Sequence, residues 1–231
     1  MNGALARQMA AETIGTALLL AAVVGSGIMG ERLSGGNVAV ALLANALATG
    51  CALLALILTF GPVSGAHFNP VVTLSEAWQG TLPWRNTPAY LLAQMGGAFA
   101  GVAIAHGMFE EPLFTPSLHV RSGPAQWLSE FIATFGLLAV IGGVSRTRKE
   151  AAPLAVAAYI VSAYWFTAST SFANPAVTLA RTVTNTFAGI RPADAPAFLI
   201  AQCAGAVAAT LWNRWFADLH LSTDSASSSL P

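Results

Sequence analysis

The chain has 231 residues and no net charge at neutral pH, and 55% of its residues are hydrophobic while only 9% are charged. With a mean hydropathy of +0.63, this composition is typical of a membrane protein and excludes a soluble globular domain. The charge balance, together with the absence of a basic run, also excludes a nucleic-acid partner.

Six long apolar stretches follow one another along the chain, most of them near the ~20 residues that span the hydrocarbon core of a bilayer. They predict spanning helices at about 8–30, 37–60, 86–106, 125–145, 152–168 and 194–216. The first is interpreted as a retained helix rather than a secretory signal, because it carries Glu12 and has no clear cleavage site. The serine-rich segment 222–231 is predicted to be disordered.

Basic residues concentrate in alternate loops and at the chain ends. These residues are Arg7, Arg85, Arg146, Arg148, Lys149 and Arg214. Because positive charge favours the cytoplasmic side of a membrane protein, we expect both termini to lie in the cytoplasm. The two cysteines, Cys51 and Cys203, lie within predicted spans and offer no disulfide framework.

Three sequence signals recur in the same order in both halves of the chain. The pairs are Glu12 with Glu130, Asn69 with Asn174, and AQMGGA at 93–98 with AQCAGA at 201–206. They divide a single membrane domain, 1–231, into repeat one at about 8–106 and repeat two at about 125–216. Each repeat holds three spans, an odd number, so the second repeat enters the membrane from the opposite side and the repeats are inverted.

Each asparagine of the second pair precedes a proline that opens a helix too short to cross a bilayer. Proline suits the first helical position and asparagine is a good N-cap, so we expect half-helices at 70 to about 79 and 175 to about 187. In inverted repeats their N-termini meet near the midplane, where partial positive charge opposes cations and the asparagine amides donate hydrogen bonds to neutral solutes. The predicted pore waist consists of Asn69, Pro70, Val71, Asn174, Pro175 and Ala176.

The segments that lead into the half-helices, 64–68 and 169–173, are predicted to be non-helical, and such backbone can exist at membrane depth only if its carbonyl groups face a wet cavity or other protein atoms. The predicted pore-lining carbonyls are those of Gly65, Ala66, His67, Phe68, Thr170, Ser171 and Phe172. Glu12 and Glu130 are intramembrane carboxylates, which are functional candidates. We favour a structural role for them, in which they support the two re-entrant loops by accepting N–H groups.

These motifs resemble the major intrinsic protein family, the aquaporins and aquaglyceroporins, over about 12–216. SGAHFNPVVTL and SFANPAVTL resemble its two signature loops, and the paired glutamates and AQxxGA segments also match. The resemblance implies an all-α membrane fold, an aquaporin-like right-handed bundle of six transmembrane helices plus two re-entrant half-helices in an inverted repeat. It also implies a homotetramer with one pore per protomer.

Members of this family have a second constriction, a four-residue filter that usually contains aromatic residues and an arginine directly after the second motif. Counting from the asparagines places its equivalents at Thr49, Ser162, Ser171 and Val177. None of these is an arginine, an aromatic residue or a histidine, so the resemblance implies a wide, uncharged, arginine-free filter. Arg181 lies one turn beyond Val177, and we expect it to have a structural role rather than to line the pore.

A valine after the second motif resembles a bacterial branch of aquaglyceroporins linked to arsenic resistance, which implies the bacterial inner (plasma) membrane. We expect a passive channel for small neutral solutes, polyol-like ones including arsenite and methylated arsenicals, that excludes protons. The alternatives are a water-selective or glycerol-facilitating aquaporin and, remotely, a secondary transporter, since broken helices in inverted repeats also build carriers. The histidines and cysteines form no evident metal or nucleophile cluster, so we expect no cofactor, no metal and no enzymatic activity.

Overall fold

The structure is a computed structural model that describes the backbone of residues 3–227 and the side chains of residues 3–217. In this part of the chain all regular structure is helical. The α-helices are α1 (Gly3–Leu33), α2 (Val38–Ser64), α3 (Pro70–Gln79), α4 (Thr87–Phe109), α5 (Pro124–Thr147), α6 (Ala152–Phe166), α7 (Pro175–Ala180) and α8 (Ala195–Ser227). Short 3-10 turns lie at Trp84–Asn86, Lys149–Ala151, Arg181–Val183 and Pro192–Asp194.

Helices α1, α2, α4, α5 and α8 are long and apolar enough to cross a membrane. The remaining predicted span corresponds to α6, which has 15 residues and therefore rises only ~22 Å at 1.5 Å per residue. The 3-10 turn Lys149–Ala151 precedes it directly. The predicted fold class, long membrane helices with two inserted short ones, is confirmed, with α6 shorter than the other spans.

The two repeats have the same internal arrangement. Helix α1 packs against α2 and α4, and the equivalent α5 packs against α6 and α8. The repeats meet where α2 contacts α6. The short helices α3 and α7 contact each other, and each of them also packs against both α4 and α8. The middle of the bundle is therefore built jointly by both halves of the chain.

Glycines allow the equivalent helix pairs to approach until their backbones touch. A Cβ atom added at Gly101 of α4 would overlap the carbonyl oxygen of Ala17 in α1. One added at Gly205 of α8 would overlap the carbonyl oxygen of Phe131 in α5. Such small-residue contacts are a main source of helix association in membranes, where lipid removes the hydrophobic drive.

The second short helix is shorter than the sequence predicts. It ends at Ala180 instead of reaching about Phe187, and the 3-10 turn Arg181–Val183 follows it. This turn contains β-branched residues, which have a low helix propensity. Its Thr182 carbonyl accepts a hydrogen bond from the N–H of Ser117 at 2.9 Å, so the chain turns toward the loop between α4 and α5.

The last helix is longer than predicted. Helix α8 continues to Ser227, so it includes 222–227, the first part of the segment predicted to be disordered. No proline or glycine occurs between Gly205 and Pro231 to end the helix. The rest of that segment, 228–231, lies outside the described residues.

Candidate functional site

A cavity of about 1220 Å³ runs into the bundle. Gln8 of α1 and Arg214 of α8 line its mouth. The lining continues past both asparagines of the half-helices, and its far end is formed by Thr49, Tyr164, Ser171, Val177 and Arg181. Within the described residues, the loop 110–123 contributes nothing to the lining.

Asn69 and Asn174 join the two repeats by reciprocal hydrogen bonds. Nδ2 of Asn69 donates to the carbonyl oxygen of Ala173 at 2.8 Å, and Nδ2 of Asn174 donates to that of Phe68 at 2.8 Å. The Oδ1 atom of Asn69 accepts from the N–H of Val71 at 3.1 Å and caps α3. Because an amide nitrogen carries two hydrogens, each Nδ2 retains one that is free for a solute in the cavity.

Only the asparagines among the predicted waist residues line the cavity. The other four, Pro70, Val71, Pro175 and Ala176, form the first turns of α3 and α7 and pack against protein. Their contribution is to start each half-helix at the level where the asparagine is needed.

The segments before the half-helices have left-handed backbone conformations at equivalent positions. Positive φ angles occur at Gly65 and Thr170, at Ala66 and Ser171, and at Phe68 and Ala173. These pairs have the same separation as the two asparagines. For a residue other than glycine this conformation costs roughly 1–3 kcal/mol, and it is typical of functional sites. Of the predicted carbonyl residues, those that line the cavity are Gly65, Ala66, His67, Phe68, Ser171 and Phe172, whereas Thr170 does not.

Glu12 holds the first of these segments in place. Its Oε1 atom accepts from Ser64 Oγ at 2.6 Å and from the N–H of His67 at 3.0 Å. Its Oε2 atom accepts from the N–H of Phe68 and from Gln94 Nε2, both at 2.8 Å. The carboxylate is fully buried and does not line the cavity.

Glu130 makes the equivalent contacts in the second repeat. Its Oε1 atom accepts from the N–H of Phe172 at 2.9 Å, and its Oε2 atom accepts from the N–H of Ala173 at 2.9 Å and from Gln202 Nε2 at 2.6 Å. It too is fully buried and absent from the cavity wall. Both carboxylates thus satisfy backbone donors that neither lipid nor a regular helix would satisfy.

The prediction that Ser162 lines the pore is wrong. Its side chain is exposed on the outside of α6, and its Oγ donates to the carbonyl of Tyr159 at 2.8 Å. Tyr164 lines the cavity instead, and its hydroxyl donates to Thr49 Oγ1 at 3.3 Å. Counting back from Asn174 crosses an irregular connection, and an error of two residues selects the opposite face of a helix.

The expectation that Arg181 does not line the pore is also wrong, because Arg181 lines the cavity. Its side chain is only 2% exposed, its Nε donates to the carbonyl of Ala188, and its Cζ lies 3.4 Å from the centroid of the Phe172 ring. Helical side chains point back toward the N-terminus of their helix. The backbone position of Arg181, one turn beyond Val177, therefore does not by itself determine where its guanidinium lies.

The loop 110–123 brings a second arginine to the same ring. Arg121 donates from Nε to the carbonyl of Gly189 at 2.9 Å and from Nη1 to the carbonyl of Ser169 at 3.2 Å. Its Cζ lies 5.1 Å from the centroid of Phe172. No sequence signal predicts this contact, because it depends on how a long irregular loop folds over α7.

His119 in the same loop lies near both arginines. Desolvation, followed by the charges of Arg121 and Arg181, lowers the pKa of His119 below its usual value. Its backbone carbonyl accepts from the N–H of Arg191 at 2.7 Å. The imidazole is therefore neutral at neutral pH, and the positive charge in this region comes from the arginines.

The sequence matches the family described as major intrinsic protein over residues 2–168 and 150–229. The chain belongs to this family. As a major intrinsic protein it is an integral membrane protein and a channel for small solutes, and the family is one of channels rather than enzymes.

Relatives of this major intrinsic protein occur in bacteria and plants. It is 56% identical over 211 residues to the aquaglyceroporin AqpS of Rhizobium meliloti (strain 1021), covering 91% of this chain and 90% of that protein. It is 34% identical over 181 residues to the aquaporin NIP1-3 of Oryza sativa subsp. japonica, covering 75% of this chain and 62% of that protein.

A solved structure with a similar fold is the X-ray structure of the aquaglyceroporin from Plasmodium falciparum. The TM-score is 0.69, and the match covers 92% of this chain and 95% of that chain. The two sequences are only 20% identical, so this similarity supports the major intrinsic protein fold alone.

Proposed function

We propose that this protein is a passive channel for small neutral solutes that excludes protons, and that its substrates are polyol-like solutes, including arsenite and methylated arsenicals. The main support is the reciprocal pair of hydrogen bonds at Asn69 and Asn174. These bonds fix both amide groups in the cavity wall and leave one hydrogen on each for a passing solute. A solute with an oxygen acceptor can replace there the hydrogen bonds that it made to water.

Exclusion of cations and hydronium follows from the charge at the same position. Helices α3 and α7 both begin at the asparagines, so their positive ends point toward the cavity. A cation would have to give up hydration against this potential, whereas a neutral solute loses little. Glu12 and Glu130 lie behind the cavity wall, so neither of these carboxylates faces the asparagines from within the cavity.

The position of the two carboxylates argues against a secondary transporter. Such a carrier couples transport to ions or protons through groups that the ions reach at the midplane. Here Glu12 and Glu130 have no exposed surface, and their oxygens accept hydrogen bonds from the re-entrant segments and from glutamines. A passive channel needs no coupling group, so these residues fit loop support.

Hydroxylated solutes fit the far end of the cavity. Thr49, Tyr164 and Ser171 supply hydroxyl groups there, and Arg181 supplies a guanidinium. Such a wall both donates and accepts hydrogen bonds, as a small polyol requires. Arsenite in its neutral form As(OH)₃ has the same pattern of hydroxyl groups. We include arsenite and methylated arsenicals among the substrates because the valine after the second motif, Val177, resembles the arsenic-linked branch of aquaglyceroporins.

The direct test is transport by the full-length protein in proteoliposomes, with water, glycerol, As(OH)₃ and a methylated trivalent arsenical measured side by side. We expect each solute flux to exceed that of empty liposomes, to increase linearly with its gradient, and to be independent of pH and sodium gradients. Water flux alone would favour the water-selective alternative. Saturable uptake that requires a proton or sodium gradient would instead favour a transporter.

We also propose that the protein is a homotetramer in the bacterial inner membrane with both ends in the cytoplasm. The distribution of basic residues and the similarity to AqpS of a rhizobial bacterium support this location. Cysteine labelling from each side of right-side-out vesicles tests the orientation, and mass measurement in native nanodiscs tests the tetramer. A monomer, or labelling of a terminal cysteine from outside, would contradict it.

A further inference from the structure

Arg181 is a buried charge without an acidic partner. Among residues 3–217, whose side chains are described, no carboxylate forms an ion pair with it, and neither of its Nη atoms has a hydrogen-bond partner. Burying an unpaired charge away from water is strongly unfavourable. Since Arg181 lines the cavity, the water or solute in the cavity is what solvates this guanidinium. An intramembrane ionisable group in such a position is a candidate functional group.

The guanidinium is held in a fixed position by its neighbours. Its Nε donates to the Ala188 carbonyl, and its Cζ lies 3.4 Å from the centroid of the Phe172 ring. The ring itself is fixed by an edge contact with Phe198 at 5.3 Å between centroids and by the Phe172 N–H bond to Glu130. Cation–π contact and one hydrogen bond thus orient the group and leave its terminal N–H donors for the cavity.

A second polar atom at the same end of the cavity lacks a partner. The Oγ atom of Ser171 is buried and makes no hydrogen bond within the described residues, and Ser171 also lines the cavity. Buried polar atoms in native proteins are nearly always satisfied, so an unpaired hydroxyl in the wall of the cavity that Arg181 also lines supports a polar occupant. Thr49 and Tyr164 complete this end with two further hydroxyl groups.

We propose that Arg181 is a selectivity residue of this channel: its guanidinium repels cations at the far end of the cavity and donates hydrogen bonds to the hydroxyl groups of neutral solutes. Val177, one turn earlier, is apolar and can do neither. The inference rests on the proposed function, because it assigns to one residue a part of the selectivity of a neutral-solute channel.

The test compares glycerol flux with potassium permeability for the full-length protein in liposomes of neutral lipid. Arg181→Gln removes the charge and Arg181→Lys keeps it. Arg32→Gln is the matched control, since Arg32 is an exposed arginine that pairs with Glu111 away from the cavity. We expect Arg181→Gln alone to raise potassium permeability, by about tenfold or more, because one unit charge a few Å from the path acts at low effective dielectric.

The outcomes separate this inference from the proposed function. If Arg181→Gln conducts glycerol and is as impermeable to potassium as the wild type, Arg181 is not a selectivity residue, although the channel function stands. If the wild-type protein does not conduct glycerol or any other neutral solute, the proposed function fails regardless of the variants.

A further variant covers the case in which Arg181→Gln does not assemble. With Arg181→His, the residue is cationic at acidic pH and neutral at alkaline pH. Potassium permeability should then rise as pH rises while glycerol flux stays constant, and the wild type should show no such change. Potassium permeability of this variant that is low and independent of pH would overturn the inference.

Discussion

Gln202 donates its side-chain amide to Glu130 at 2.6 Å, and the same nitrogen lies 2.8 Å from the hydroxyl oxygen of Thr178. One side chain of α8 therefore connects α5 with the second half-helix. Gln94 has the same relationship to Glu12 in the first repeat, at 2.8 Å. The conformation of each re-entrant segment thus depends on a carboxylate that accepts every hydrogen bond offered to it.

Replacing one oxygen of this carboxylate by an NH₂ group tests that dependence. In Glu130→Gln, one of the two side-chain atoms becomes an NH₂ group, which cannot accept hydrogen bonds. The remaining oxygen cannot accept from Ala173, Gln202 and Phe172 together. Leaving one buried donor unsatisfied costs about 1–3 kcal/mol, so we expect a lower Tm in detergent and reduced glycerol flux. Glu31→Gln, at an exposed carboxylate, should leave both unchanged. Equal Tm values for the two variants would contradict the support role of Glu130.

An arginine at Val177 should narrow the far end of the cavity. Val177 is buried in the cavity wall, and the longer side chain would occupy space that a solute needs. We expect Val177→Arg to slow glycerol, As(OH)₃ and methylated arsenicals more than water, measured by stopped-flow light scattering and uptake into proteoliposomes. Val177→Ala is the size control and should not slow any of them. If Val177→Arg takes up all of the larger solutes as fast as the wild type, Val177 does not form part of the constriction.

Tyr164 and Ser162 give opposite expectations although they lie on one helix. Tyr164→Ala removes a ring from the cavity wall and should raise the flux of a four-carbon polyol relative to glycerol. Ser162→Ala changes an exposed residue that bonds only to its own helix, so the ratio should stay as in the wild type. A change in the ratio for Ser162→Ala, with none for Tyr164→Ala, would restore the assignment made from sequence.

The contact between α1 and α4 provides a test of packing. At Gly101 an added methyl group would overlap the backbone of Ala17, whereas at Gly96 nothing lies within 4 Å. We expect Gly101→Ala to destabilise the protein by about 1–3 kcal/mol, as overpacking does. Gly96→Ala should be neutral or stabilising by up to about 1 kcal/mol, because alanine is the better helix former. Thermal unfolding in detergent measures both, and equal Tm values would show that the helices separate at little cost.

Features marked in both repeats could be predicted from the sequence. Asn69 and Asn174 open the two half-helices where expected, because the asparagine–proline pair is itself the local start signal. Glu12 and Glu130 could be matched to each other because they occupy corresponding places in the two repeats. The hydrogen bonds that they accept come from the two segments 64–68 and 169–173. Local chemistry and repetition were sufficient for these features.

Features that depend on the path of irregular backbone could not be predicted. The prediction of Ser162 rests on counting across the connection between α6 and α7, where no period relates residue number to direction. The prediction for Arg181 rests on the position of its backbone, although a long side chain extends about one helical turn from it. The contact of Arg121 with Phe172 depends on the fold of the loop 110–123, for which the sequence carries no periodic signal.

The exchange of hydrogen bonds between Asn69 and Asn174 has a consequence for biogenesis. The carbonyl that Asn69 requires belongs to Ala173, which is synthesised and inserted after the whole first repeat is already in the membrane. Until then the Asn69 amide and the Phe68 carbonyl lack their native partners in a nearly anhydrous environment. The first half of the chain cannot form the waist by itself, so the association of the two halves is a late folding step. A truncated half-channel would stay incompletely folded and would be a substrate for quality-control proteases.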